Sequence, residues 1–186
     1  MKKINMIGLG YIGLPTAAVM AKSGYDVIGV DINEDACKTI NQGRIHIVEP
    51  GLESVVKDVV GKGHLVAQTT PTEADVFVIA VPTPFKDSYA PDLTFIKAAA
   101  TSIAPFLQKG SLVVLESTSP VGTTHKLKDW LSELRPDLTF PTKSDDVNSD
   151  VNLAYCPERV LPGKVLEELV ANDRSIGGIT PSCSEK

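Results

Sequence analysis

The chain has 186 residues, of which 42% are hydrophobic and 22% charged, and it carries a net charge of −5 at neutral pH. That length supports one domain with at most an appendage, and the apolar fraction excludes a disordered chain. An acidic protein with no basic run lacks the footprint of a nucleic-acid binder, and no apolar run reaches the ~18 residues that a membrane helix needs.

The N-terminus imitates a secretion signal, with Lys2 and Lys3 ahead of an apolar stretch that reaches small residues near Ala21. Gly8, Gly10, Gly13 and Pro15 interrupt that stretch and a second strand-like segment follows without a spacer, so it reads as folded chain. Residues 3–7 are a short apolar strand. Residues 11–22 follow as a helix with Ala17, Ala18 and Ala21 on a small-residue face, ended by Ser23 and Gly24.

Residues 26–30 form a second strand, and Asn33 caps a helix that runs to Asn41 and stops at Gln42 and Gly43. After an irregular segment, 44–49, Pro50 opens a helix to about Val60. Residues 65–68 and 75–81 are strands, the latter apolar enough to be central. A Pro-rich loop, 82–91, precedes Asp92, which caps a helix reaching about Leu107. A strand at 111–116, a helix at 123–134, a polar loop at 140–150, and strands at 151–155 and 174–179 complete the pattern. Strands alternating with helices predict a parallel sheet covered on both faces and doubly wound by right-handed crossovers. That domain is expected to span 1–178, leaving 179–186 as the start of a connection.

Cys37, Cys156 and Cys183 lie far apart and form no CxxC pair, which excludes a disulfide framework and fits a reducing, cytoplasmic location. His46, His64 and His125 are scattered without metal-ligand spacing, so no metal site is expected.

Gly8-Leu9-Gly10-Tyr11-Ile12-Gly13 is a GxGxxG motif. It follows a strand at once and opens a helix, and Asp31 stands at the end of the next strand. Gly8 permits the tight turn, Gly10 lets backbone amides approach a pyrophosphate, and Gly13 lets the helix pack close to the strand. The helix N-terminus then offers unpaired N–H groups to the phosphates. Asp31 would accept hydrogen bonds from the adenosine ribose and repel a 2′-phosphate, which favours NAD over NADP.

Ligands in such a sheet sit outside the carboxyl ends of the strands. Thr83, after the 75–81 strand, can present its hydroxyl to the nicotinamide side, or the flanking prolines simply stiffen a turn. Thr118 can hold a water or a sugar hydroxyl, whereas Thr123 and Thr124 suit helix caps. Glu158, Arg159 and Gly163 follow the strand at 151–155 and suit a nucleotide-diphosphate site, with Glu158 as acid or base through a water. The alternative is an exposed Glu–Arg pair on a turn.

Taken together, the stretches MIGLGYIGLPTAA, GVDIN, IHIVEPGL, AVPTPFK, LESTSPVGTT, RPDLTFP, NLAYCPERVLPGK and NDRSIGG resemble the UDP-glucose/GDP-mannose dehydrogenase family. The resemblance covers nearly the whole chain. It implies a Rossmann-type, mainly parallel sheet with helices on both faces, NAD as cofactor, and a UDP-sugar substrate oxidised to its uronate for surface polysaccharides. It further implies that Tyr11, Ile12, Asp31, Thr83 and Thr124 contact NAD, that Thr118 and Glu158 are catalytic, and that Arg159 and Val160 touch the UDP-sugar.

The sequence departs from UDP-glucose members at Pro162, where they commonly carry a second glutamate, and at Ala36, where they often have a lysine near the cofactor ribose. Its PERVLPG motif instead matches the branch acting on UDP-N-acetyl-D-mannosamine. The alternatives are UDP-glucose, UDP-N-acetylglucosamine or GDP-mannose, or a non-catalytic nucleotide-sensing module, since fold does not fix function. The family's later lysine, asparagine and nucleophilic cysteine have no counterpart before Lys186, so the resemblance covers its N-terminal domain. None of the three cysteines here matches that nucleophile. This part alone is expected to be inactive, and the full-length enzyme to be a homodimer or higher homo-oligomer.

Overall fold

Strands as apolar as Val76–Ile79 cannot face water on either side, so helices must cover both faces of the sheet. The computed structural model describes residues 2–142 and 148–186. Its elements run β1 (Lys3–Ile7), α1 (Gly13–Lys22), β2 (Asp26–Val30), α2 (Glu34–Asn41), α3 (Leu52–Gly61), β3 (Leu65–Gln68) and β4 (Val76–Ile79). They continue through α4 (Thr94–Ile103), β5 (Leu112–Leu115), α5 (Thr123–Leu134), β6 (Asn152–Tyr155), α6 (Val165–Ala171), β7 (Gly177–Gly178) and α7 (Pro181–Glu185).

The strand order is β3-β2-β1-β4-β5-β6-β7. Strands β1 to β6 pair in parallel and β7 returns antiparallel to β6. This is the Rossmann order, whose direction reverses between β1 and β4. Alternate strand residues divide between two cores. Ile4, Met6 and Val78 pack with the Ala17, Ala18 and Ala21 face of α1 and with Ile40, Val56 and Val59. Phe77, Ile79, Val113 and Leu115 pack on the other face with Ile96, Ala100, Leu127 and Leu131.

Two asparagines close the backbone where strands end or lie exposed. Buried Asn5 donates through Nδ2 to the Thr72 carbonyl at 2.9 Å and accepts the Thr72 N–H at 3.1 Å. Asn41 does the same for Ala67 on the outer strand β3, at 2.7 and 2.8 Å.

Several boundaries differ from the sequence reading for local reasons. Helix α1 begins at Gly13 rather than Tyr11, because residues 11 and 12 belong to the turn. Helix α3 begins at Leu52 rather than Pro50, because Gly51 adopts φ +78° and breaks the run. The strand expected at 174–179 shrinks to Gly177–Gly178, and Arg174 lies outside it, paired with Glu116. The helices α6 and α7 were not anticipated; both are too short for a clear apolar period. Residues 143–147 of the expected 140–150 loop lie outside the described residues.

Candidate functional site

The turn from β1 into α1 has no room for side chains at two of its glycines. Gly8 takes φ +94°, and a Cβ there would lie 2.5 Å from the Ala80 carbonyl oxygen. A Cβ on Gly13 would lie 1.9 Å from the Gly8 carbonyl oxygen. A Cβ on Gly10, by contrast, would meet nothing within 4 Å, so the backbone there faces open space.

Ile12, the residue before α1, supplies no side-chain cap, and the first turn carries no acidic residue. Among the described residues no acceptor takes the N–H of Tyr11 or Ile12. Unpaired amides and an uncompensated positive helix end beside open space are what a diphosphate requires. The residues present therefore fit a dinucleotide.

Asp31 does more than the sequence reading expected. Its Oδ2 accepts the Leu9 N–H at 2.8 Å and its Oδ1 accepts the Asn33 N–H at 2.9 Å. The carboxylate thus braces the glycine turn against the end of β2. Each oxygen keeps further lone-pair capacity, so a ribose hydroxyl can still donate to it.

The next strand ends are stitched together by hydroxyls. Ser117, buried after β5, accepts the Val81 N–H at 2.9 Å and lies 2.8 Å from the Val81 carbonyl. Thr83 donates to the Thr118 carbonyl at 2.6 Å, so these two residues meet across the gap between β4 and β5. The Thr118 side chain itself is exposed. Helix α5 is preceded by Gly122 at φ +88°, and Thr123 donates instead to the Pro120 carbonyl at 2.7 Å. Neither Thr123 nor Thr124 is the cap, which corrects that reading. Half-buried Thr124 lines a cavity of about 250 Å³ with His125, Tyr155 and Gly178.

After β6, Glu158 accepts the Val160 N–H at 2.9 Å, and Arg159 is exposed. Among the described residues Glu158 and Arg159 form no ion pair with each other. The charged pair that does form was missed. Arg174 Nη2 lies 2.6 Å from Glu116 Oε1 and donates to the Cys156 carbonyl at 3.2 Å, tying the end of β5 to the end of β6. The Glu116 side chain is only 3% exposed. Burial pushes its carboxyl up from the ordinary range; Arg174 pulls it back, the charge of Glu158 raises it, and the Thr16 hydroxyl on α1 lowers it least. A charged residue ending an apolar strand was the available signal; its partner 58 residues away left none.

Phosphate turn, Asp31, Thr83, Thr118 and Glu158 thus share one edge of the sheet, at the carboxyl ends of its parallel strands. Cys37 and Cys183 are buried, and burial likewise raises the thiol pKa of half-buried Cys156.

A family model described as the UDP-glucose/GDP-mannose dehydrogenase family, NAD binding domain, matches residues 2–186. The chain is 63% identical over 183 residues to a UDP-N-acetyl-D-mannosamine dehydrogenase of Escherichia coli K12, covering 98% of this chain and 43% of that protein. It is 62% identical over 184 residues to an NDP-N-acetyl-D-galactosaminuronic acid dehydrogenase of Ralstonia nicotianae, covering 99% and 43%. The solved structure of a UDP-D-ManNAc dehydrogenase from Pyrococcus horikoshii superposes with a TM-score of 0.90 at 39% identity, covering 98% of this chain and 42% of that one. The chain therefore spans less than half the length of the curated relatives it matches.

Two outcomes follow from the geometry. Asp31→Ala should lower the unfolding free energy by about 1–3 kcal/mol without any nucleotide present; an unchanged denaturation midpoint would mean that its bonds to Leu9 and Asn33 carry no weight. In Arg174→Met the Glu116 carboxyl loses its cation, and its folded-state pKa rises further. A raised carboxyl pKa costs nothing below the unfolded value of about 4.3 and progressively more as pH climbs toward the folded value. The variant should be about 3 kcal/mol less stable than the parent at neutral pH. That gap should narrow as acid protonates Glu116 in both states. Thermal unfolding across this range checks it, and a constant gap would exclude Glu116 as its source.

Proposed function

The chain belongs to the UDP-glucose/GDP-mannose dehydrogenase family, as its NAD-binding domain, and from that premise we propose that it is the cofactor-binding part of an NAD-dependent UDP-N-acetyl-D-mannosamine 6-dehydrogenase. The observation that carries the reading is the phosphate turn, with free amides at Tyr11 and Ile12, open space at Gly10 and the carboxylate of Asp31 beside it. The PERVLPG motif and the 63% identity to a protein of that name support the substrate.

Bound NAD supplies a hydride acceptor. Around it, Gly8, Gly10 and Gly13 shape the turn, the amides of Tyr11 and Ile12 bind the diphosphate, and Asp31 takes the adenosine ribose. Thr83 and Thr124 border the nicotinamide side. Thr118 and Glu158 hold and deprotonate a water or the reacting hydroxyl, and Arg159 and Val160 contact the UDP-sugar. We read none of Cys37, Cys156 and Cys183 as the nucleophile that such a two-step oxidation needs, since none matches the family's; Cys37 and Cys183 are also buried.

We read the chain, which spans less than half the length of those relatives, as part of a longer, homo-oligomeric, cytoplasmic enzyme. No helix among the described residues is long and apolar enough to cross a membrane. The 62% identity to the Ralstonia protein supports a second substrate reading, a nucleotide-linked N-acetylgalactosamine sugar.

Calorimetric titration of NAD into this chain should give a saturable heat. NADP should bind roughly tenfold more weakly, because its 2′-phosphate meets Asp31. No NADH should appear with UDP-N-acetylmannosamine, and its appearance would overturn the assignment of the three cysteines. A panel of nucleotide sugars on the full-length enzyme decides between the two substrates, and absence of NAD binding would remove the whole reading.

A further inference from the structure

The loop carrying Glu158, Arg159 and Val160 joins β6 to α6, and side chains fasten its backbone almost residue by residue. Glu158 takes the Val160 N–H at 2.9 Å, Glu168 takes the Leu161 N–H at 2.7 Å, and Asn172 donates to the Arg159 carbonyl at 2.8 Å. These three partners are local, either on the loop or on the α6 segment that follows it. They hold the loop in shape but do not tie it to the rest of the domain.

One anchor comes from far away. Glu49, in the segment between α2 and α3, accepts the Gly163 N–H at Oε2 and the Val165 N–H at Oε1, both at 2.9 Å. The residue is 5% exposed, and both carboxylate oxygens are engaged. Two residues on, Gly51 passes Leu166 so closely that an added Cβ would touch its Cδ1 at 3.7 Å. Leu166 packs against the α1 core.

Packing of Leu166 against that core also holds α6 to the domain. Burying a carboxylate is costly unless hydrogen bonds satisfy it, and a hydrophobic side chain at position 49 would avoid that cost. What only a two-oxygen acceptor provides is a fixed position for two amides two residues apart, and hence a fixed register for the loop. Glu49 belongs to the same half of the sheet as the glycine turn and Asp31, so its bonds set the loop against that half.

We propose that Glu49 is a positioning residue for the UDP-sugar site, fixing Glu158, Arg159 and Val160 relative to the bound dinucleotide. The inference rests on the reading of that loop as the substrate loop. Glu49→Gln keeps the side chain's shape but offers one acceptor oxygen, and its NH₂ group then faces an N–H donor. Glu49→Asp keeps both oxygens on a shorter stem.

The test is steady-state kinetics of the full-length enzyme, with amide hydrogen exchange on the same proteins. Glu49→Gln should raise the KM for the UDP-sugar roughly tenfold, the equivalent of one lost charge-assisted hydrogen bond. The KM for NAD should stay unchanged, and Glu49→Asp should recover part of the loss. Amides 159–165 should exchange faster in Glu49→Gln, while those at 10–13 should not. A lowered Tm with both KM values unchanged, or with both raised equally, would overturn the proposal as a purely structural effect.

Should Glu49→Gln fail to fold, Glu49→Asp decides: a parental UDP-sugar KM with parental exchange at 159–165 sinks the idea. If the parent enzyme oxidises no nucleotide sugar, the functional reading falls. The exchange pattern at 159–165 then still decides whether Glu49 sets the loop.

Discussion

The first turn of the chain closes so tightly that the Gly8 carbonyl occupies the place a side chain on Gly13 would need. That contact lets α1 start directly above β1, with its first amides turned outward rather than into a cap. Asp31 then locks the arrangement from the neighbouring strand by holding Leu9. The same carboxylate that would recognise a ribose is therefore part of what shapes the phosphate site. Under the proposed ribose contact, binding and architecture are not separable at this residue.

From that turn the rest of the site is assembled strand end by strand end. The Gly8 backbone packs on Ala80, Ser117 joins the segment after β4 to that after β5, and Thr83 reaches Thr118. The Arg174–Glu116 pair carries the chain of contacts on to β6. Each link spans tens of residues of sequence, but only neighbouring strands in space. A parallel sheet makes this possible because all its carboxyl ends emerge on one side.

Much of the fold was legible in the residues alone because its signals are local. The strands β1 and β2 and the helix α5 follow their apolar patterns to the residue, and Asn33 caps α2 as its side chain predicts, accepting the Asp35 and Ala36 N–H groups. The dinucleotide turn was legible for the same reason, since motif, strand and helix are contiguous. What escaped were contacts made between distant segments. Nothing in the neighbourhood of Arg174 points to Glu116, and nothing near Glu49 points to Gly163. Threonines at a helix start suggested a cap, but a glycine in the left-handed region had already turned the chain, freeing Thr123 to bond Pro120.

The pairing of Asn41 with Ala67 bears on how copies of this protein can meet. Strand β3 is the margin of a parallel sheet, and bare margins invite a foreign strand to dock by backbone pairing. Here a side-chain amide mimics that visitor, occupying both the donor and the acceptor of Ala67. A foreign strand therefore finds the outward backbone groups of Ala67 already taken.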